Sequence, residues 1–193
     1  SSGDWMIEQT TIRNSTEEAI DAVNSSGQWT VRDSVIKNTA DDGVRADEAS
    51  GDWTLDNVTI RDTVSEGVDA DDSDGDGTIR NTTVESTGDS GIDAGRSSGN
   101  LAIRNSTVRD TGDHGIEVEF STGPWTIEST TIQNVSNEGV DAFEIENRGT
   151  IDDVKVTDTR VGVNFYNSSG PWTIEESVIQ NNSDVAITAG NAE

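Results

Sequence analysis

Apolar residues recur along this chain at three fixed places in a unit of about 24 residues. When the units are started at Ser1, Ser25, Ala49, Ser73, Ser97, Ser121, Ile145 and Ser168, the seventh position reads Ile7, Val31, Leu55, Ile79, Ile103, Ile127, Ile151 and Ile174. The twelfth reads Ile12, Ile36, Ile60, Val84, Val108, Ile132, Val156 and Ile179, and the twentieth Ile20, Val44, Val68, Ile92, Ile116, Val140, Val163 and Ile187. The unit that starts at Ile145 has 23 residues. Around each apolar position polar and apolar residues alternate, a period of two that belongs to strands and not to helices. Each unit therefore predicts three short strands, around W-T-I, T-T-I and G-V-D-A. Three strands cannot bury a face alone, whereas stacked copies of the unit can. The expectation is an all-β, three-sided parallel solenoid of eight coils. It forms one domain over residues 1–193 and is roughly 38 Å long at about 4.8 Å per coil.

The corners agree with that reading. Asn or Asp stands at the ninth position in Asp33, Asn57, Asn81, Asn105 and Asp153, between two strands with almost no linker. A sharp bend there requires a left-handed backbone, which Asn and Asp tolerate best among residues other than Gly. A second polar stack follows at Asn14, Asn38, Asp62, Asp110, Asn134, Asp158 and Asn181, where amides on successive coils can hydrogen-bond along the axis. Gly or Ala opens the third strand of every unit, which predicts a tight corner.

With its segments GVDADD at residues 67–72 and GTIRNTTVEST at residues 77–87, the chain resembles the right-handed parallel β-helix repeats of pectate-lyase-like, carbohydrate-binding and sugar-hydrolysing proteins. The resemblance covers the whole chain and implies a right-handed coil, which the preference for right-handed crossovers supports. It also implies that an active site would lie on the outer face of the third strand. For function it is broad, because the same fold serves lyases, hydrolases, epimerases, adhesins and viral spikes. The D-P-H and G-H-G patterns of the epimerase-like and hydrolase-like relatives are absent.

Charge is distributed unevenly over the three strands. One place beyond the seventh position stand Glu8, Arg32, Asp56, Arg80, Arg104, Glu128, Asp152 and Glu175, most of them opposite in sign to a neighbour one coil away and so able to pair. Beside the twelfth position stand Arg13, Lys37, Arg61 and Arg109. The outward residue of the third strand is instead Asp21, Arg45, Asp69, Asp93, Glu117, Asp141, Asn164 and Thr188. Carboxylates stacked about 4.8 Å apart repel, so cations, concentrated salt or raised pKa values must compensate. All five Trp residues (Trp5, Trp29, Trp53, Trp125, Trp172) share one position, two before the inward Ile. Facing inward they form a stacked column; exposed, they would be a platform for sugar rings.

The densest acidic stretch holds Asp69, Asp71, Asp72, Asp74 and Asp76. From Asp72 to Gly77 it matches the opening of a D-x-D-x-D-G calcium loop, but Thr83 stands where an EF-hand needs its bidentate Glu. Ca²⁺ held by these five turn carboxylates is the expected metal site, since oxygen-only ligands suit a hard cation. Arg45 between Asp21 and Asp69 either relieves repulsion or mimics the basic group of a lyase. His114, the single histidine, sits in Asp113-His114-Gly115 and reads as a solvated turn residue. Eight N-x-[ST] sequons, at Asn14, Asn24, Asn57, Asn81, Asn105, Asn134, Asn167 and Asn181, fit an exported glycoprotein.

Composition narrows the function. With 38 Asp and Glu against 12 Lys and Arg, the net charge of -26 repels nucleic acid and anionic lipid. No apolar run is long enough to span a membrane as a helix, and the absence of Cys excludes disulfides and thiolate chemistry. Only Lys37 and Lys155 represent lysine, a balance that points to concentrated salt. No capping helix is readable at either end, so the chain is expected to be an excised piece or to dock head to tail into filaments. Together these features predict an extracellular or cell-surface structural element that is not an enzyme, its acid bridged by Ca²⁺ or other cations. The alternative is a polysaccharide-binding module or lyase-type enzyme acting through the acidic third strand.

Overall fold

A computed structural model describes residues 1–190. It consists of strands and turns, arranged as three eight-stranded sheets in which every pairing is parallel and joins a strand to its equivalent one coil away. The first sheet runs from Trp5–Glu8 to Trp172–Glu175, the second from Thr11–Ser15 to Val178–Gln180, and the third from Ile20–Asp21 to Val185–Thr188. The register is that of the repeat: Ile79 lies between Leu55 and Ile103, Val84 between Ile60 and Val108, and Ile92 between Val68 and Ile116. These side chains are almost wholly buried in one continuous core, each contributing about 1.5–3 kcal/mol. That core offsets the low apolar content.

The corners are built as the spacing predicts. Asp33, Asn57, Asn81, Asn105 and Asp153 have φ between 50° and 55°, and Asn14, Asn38, Asp62, Asn134 and Asn181 between 54° and 58°. The side chains form ladders, with Asn38 Nδ2 donating to Asn14 Oδ1 at 3.2 Å and Asn134 Nδ2 to Asp110 Oδ1 at 2.7 Å. Glycine has a different role from the one expected. No described Gly has a positive φ; Gly67 opens its strand because a Cβ there would come within 2.3 Å of Val84 and 2.6 Å of the Gly91 carbonyl oxygen. The requirement is close approach of neighbouring coils, not a left-handed turn.

The tryptophans point inward. Trp29, Trp53 and Trp125 are 2–3% exposed, and Trp5, Trp29 and Trp53 stack at centroid distances of 5.0 and 5.7 Å. Gly77 follows Trp53 because a Cβ there would lie 2.4 Å from its indole. Phe165, reaching in from the third sheet, packs between Trp125 and Trp172 at 6.2 and 4.3 Å. The indoles of Trp29, Trp53 and Trp125 wall the core and are not a surface platform, while Trp172 on the last coil is partly exposed.

Candidate functional site

The outward faces of the first two sheets carry charges, several of which pair from coil to coil. Arg32 bonds Glu8 at 2.7 Å, Arg80 bonds Asp56 at 2.9 Å and Arg104 bonds Glu128 at 3.1 Å; on the second sheet Arg109 pairs with Glu85 and Asp110. Each such exposed pair is worth at most about 1 kcal/mol.

The third sheet is different. Asp69, Asp93, Glu117 and Asp141 are direct register neighbours, and the residues around them crowd the same strip with Asp42, Glu66, His114, Glu138 and Glu119. Burial raises the Asp69 and Asp141 pKa values to about 6 and that of Asp93 to about 7, with neighbouring carboxylates adding to the effect. Burial raises Glu117 to about 8, helped by Asp93 and Glu119 and opposed by His114. Asp42 is likewise raised to about 8 by burial and by Glu66. Burial opposes ionisation of Glu66 as well, but hydrogen bonds from Asp42 and Ser65 hold its pKa below the ordinary value. The repulsion foreseen from the stacked carboxylates is thus relieved in part by retained protons.

Arg45 is in register with Asp21 and Asp69, and its guanidinium reaches Glu18 at 3.0 Å, Asp47 at 3.2 Å and Asp69 at 3.5 Å. Hydrogen bonds to Glu18 and Asp47 outweigh its partial burial and hold its proton more tightly than usual. It supplies counter-charge and is no base. Arg160 serves the other end of the strip, pairing with Glu138.

His114 is not the solvated turn residue its sequence context suggests. Its side chain is only 16% exposed. Nε2 lies 3.4 Å from Asp113, while Nδ1 lies 3.1 Å from Glu138 Oε2 and 3.7 Å from Asp141 Oδ2. Burial alone would lower its pKa, but Glu138, Glu117, Asp113 and Asp141 reverse this and raise it to about 9. Donor atoms of His114, Glu138 and Asp141 all lie within 4.8 Å of one another.

Among the described residues no three of Asp69, Asp71, Asp72, Asp74 and Asp76 converge in this way. Asp69 faces outward on the third sheet beside Arg45 and accepts the Asp71 N–H at 3.2 Å. Asp71 and Asp72 turn to Arg96 on the next coil. Asp74 accepts from Ser98 Oγ at 2.5 Å, and Asp76 from the Asn100 N–H and Nδ2 at 2.9 and 2.8 Å. The five carboxylates fan along one turn toward partners one coil away.

Three aromatic side chains escaped the repeat reading. Phe120, Phe143 and Tyr166 lie in the turn that follows the third strand on successive coils. Phe120 meets Phe143 edge-on at 5.5 Å, and Phe143 stacks on Tyr166 at 6.0 Å. Phe120 and Tyr166 are 40% and 37% exposed. Phe120 holds φ at 55°, an uncommon backbone state for a bulky residue, at a corner where other coils place Asn24, Asp72 or Asn167. The row adjoins the acidic strip, since the Phe143 N–H donates to Asp141 Oδ1 at 3.2 Å. The available signal was the interruption of polar residues by aromatics at the last two positions of three consecutive units.

The architecture is thus a right-handed parallel β-solenoid whose third sheet alone carries a crowded, partly buried set of ionisable groups. Residues 42–193 match the family described as the right handed beta helix region, and the chain belongs to that family. Among solved structures it is similar to the A-module of Azotobacter vinelandii mannuronan C-5 epimerase AlgE4, with a TM-score of 0.59 and 14% identity, over 93% of this chain and 64% of that one. It is also similar to pectate lyase Pel9A, with a TM-score of 0.57 and 11% identity, over 89% of this chain and 56% of that one. The chain therefore spans less than two thirds of either structure, and at these identities the likeness is one of fold. No curated protein matches it in sequence.

Proposed function

We propose that this protein binds an extended polysaccharide along the outer face of the third sheet, outside the cell. The observation that carries the reading is the row of Phe120, Phe143 and Tyr166 in the turns that follow the strands ending in Glu117, Asp141 and Asn164. Aromatic faces stack on the apolar faces of sugar rings, and carboxylates accept hydrogen bonds from sugar hydroxyls. Three successive coils carry an aromatic ring beside a polar outward residue, Glu117, Asp141 and Asn164, as a repeating polymer requires. An acidic polymer would need bridging cations, for which the exposed Asp72, Asp74 and Asp76 are candidate Ca²⁺ ligands; a neutral one would not. The fold shared with a pectate lyase and a mannuronan epimerase supports a polysaccharide ligand.

The test is affinity electrophoresis and calorimetry against polyuronates and neutral glycans, with and without Ca²⁺. Retardation by at least one polymer, lost in the Phe143→Ala/Tyr166→Ala double variant, is expected. A lyase acting on a polyuronate would additionally release unsaturated product with ultraviolet absorbance. Absence of binding to every polymer, with long particles growing with concentration in electron micrographs, would replace this reading by that of a structural filament. The self-paired charges on the other two faces are what would favour that second reading.

A further inference from the structure

We infer that His114, Glu138 and Asp141 form a binding site for one divalent transition-metal ion of the Zn²⁺ class. The three residues come from two adjacent coils: His114 from the turn before Ile116–Glu117, and Glu138 and Asp141 from the strand Glu138–Asp141. Stacking brings them together.

Three observations support the site independently. The first is spacing. Bonds of about 2.1 Å place the ligand atoms of a tetrahedral ion about 3.4 Å apart and those of an octahedral ion about 3.0 Å apart. Nδ1 of His114 stands 3.1 Å from Glu138 Oε2 and 3.7 Å from Asp141 Oδ2, which brackets the tetrahedral spacing. The second is an orphaned ring nitrogen. His114 Nδ1 is fully buried yet makes no aligned hydrogen bond, although a buried ring nitrogen ordinarily has a partner. It is directed at two carboxylate oxygens on side chains that are 9% and 10% exposed.

The third is the support behind each ligand. His114 Nε2 lies 3.4 Å from Asp113 Oδ1. Glu138 Oε1 is taken by Arg160. Asp141 Oδ1 accepts from the Phe143 N–H and from Asn164 Nδ2 at 3.2 and 2.9 Å. Glu138 and Asp141 therefore each have one oxygen held by a further group while the other faces the imidazole, the arrangement that orients metal ligands.

The donor set also selects the ion. Ca²⁺ and Mg²⁺ prefer all-oxygen shells of six or more ligands, whereas one imidazole with two carboxylates suits Zn²⁺, with Mn²⁺ weaker by the usual order. The five turn aspartates, which offer oxygen alone, are the opposite case. The inference does not depend on polysaccharide binding, and its test contains no sugar.

Because His114 is the single histidine, its imidazole nitrogen resonances report on the site directly. The chelator-treated full chain is titrated with ZnCl₂, MnCl₂ and CaCl₂, followed by calorimetry and by ¹⁵N-detected NMR of the imidazole. Zn²⁺ is expected to bind at one equivalent and shift Nδ1 more than Nε2. His114→Ala and Glu138→Gln are each expected to weaken binding at least about 100-fold, and Asp74→Asn to leave it unchanged, with circular dichroism confirming the fold of each. An imidazole undisturbed by Zn²⁺, equal binding in His114→Ala, or Ca²⁺ displacing Zn²⁺ at equal concentration would overturn the inference. The wild-type NMR result decides the matter even if a variant fails to fold.

Discussion

The first and third sheets share one backbone plan and differ in what stands outside it. On the first, Arg80 and Asp56 face water and hold each other at 2.9 Å, so these charges satisfy one another. On the third, Asp93 sits in a row of like charges among further acidic side chains, and its pKa rises to about 7. The difference is crowding. Where charged groups flank the central column on both sides they desolvate one another, and water can no longer screen them. One repeat can therefore build a self-neutralised wall and a crowded, partly buried ionisable strip on adjacent faces.

The largest expected effect removes the contrast altogether. Trp53→Ala opens a void in the column behind the first sheet and should destabilise the protein by about 3–5 kcal/mol, measured by urea unfolding. Both faces are then lost together, because they share one core. A variant within 1 kcal/mol of wild type would mean that the column is not structural.

A more selective change acts on ligand binding. Phe143→Ala or Tyr166→Ala should each weaken polysaccharide binding about tenfold in calorimetry, the loss of about 1.4 kcal/mol of stacking. Thr78→Ala on the first sheet should leave binding unaltered. Equal losses in all three would remove any distinction between the faces.

The pH dependence of stability separates them further. Asp69, Asp93, Asp141, Asp42 and Glu117 all have raised pKa values in the folded protein. The native state keeps protons that the unfolded chain gives up above the ordinary carboxylate range. The resulting stability is complete below that range and is lost as pH rises through about 6 to 8. Glu18, Asp56, Glu66 and Glu138 have lowered values and act in the opposite sense below the ordinary range. The midpoint of thermal unfolding should therefore be highest near pH 5 and fall toward pH 8. Asp93→Asn should raise it by about 2–4 °C at pH 8 and by less than about 1 °C at pH 5. A midpoint that climbs from pH 5 to 8 would contradict the burial of these groups.

The smallest effect belongs to the first sheet. Arg80→Ala should cost less than about 1 kcal/mol, and the cost should vanish in molar salt. A larger, salt-insensitive loss would show that the exposed ladders contribute more than pairing of solvated ions can.

Much of the architecture was legible in the residues themselves. The spacing of Ile79, Val84 and Ile92 and their equivalents gives three strands per coil and their register, because a period of two leaves one choice of inward face. The left-handed corners at Asn57 or Asn105 follow from side-chain chemistry. The inward tryptophans follow from parity with Ile7 and its equivalents. The glycines were legible in position but not in purpose, since the carbonyl that Gly67 must clear belongs to the next coil.

The candidate site was legible only as an acidic stripe. The five aspartates drew attention because they are close in sequence, yet adjacent residues on a turn diverge and each found a partner one coil away. His114 and Glu138 are 24 residues apart, as are Glu117 and Asp141, and nothing local marks them as neighbours. The repeat alone determined which residues share a column, because identical units must stack in register. Which columns crowd, which carboxylates lose water, and that one imidazole falls between two of them was decided by the folded chain. Desolvation and ligand geometry depend on distances between coils that no stretch of sequence contains.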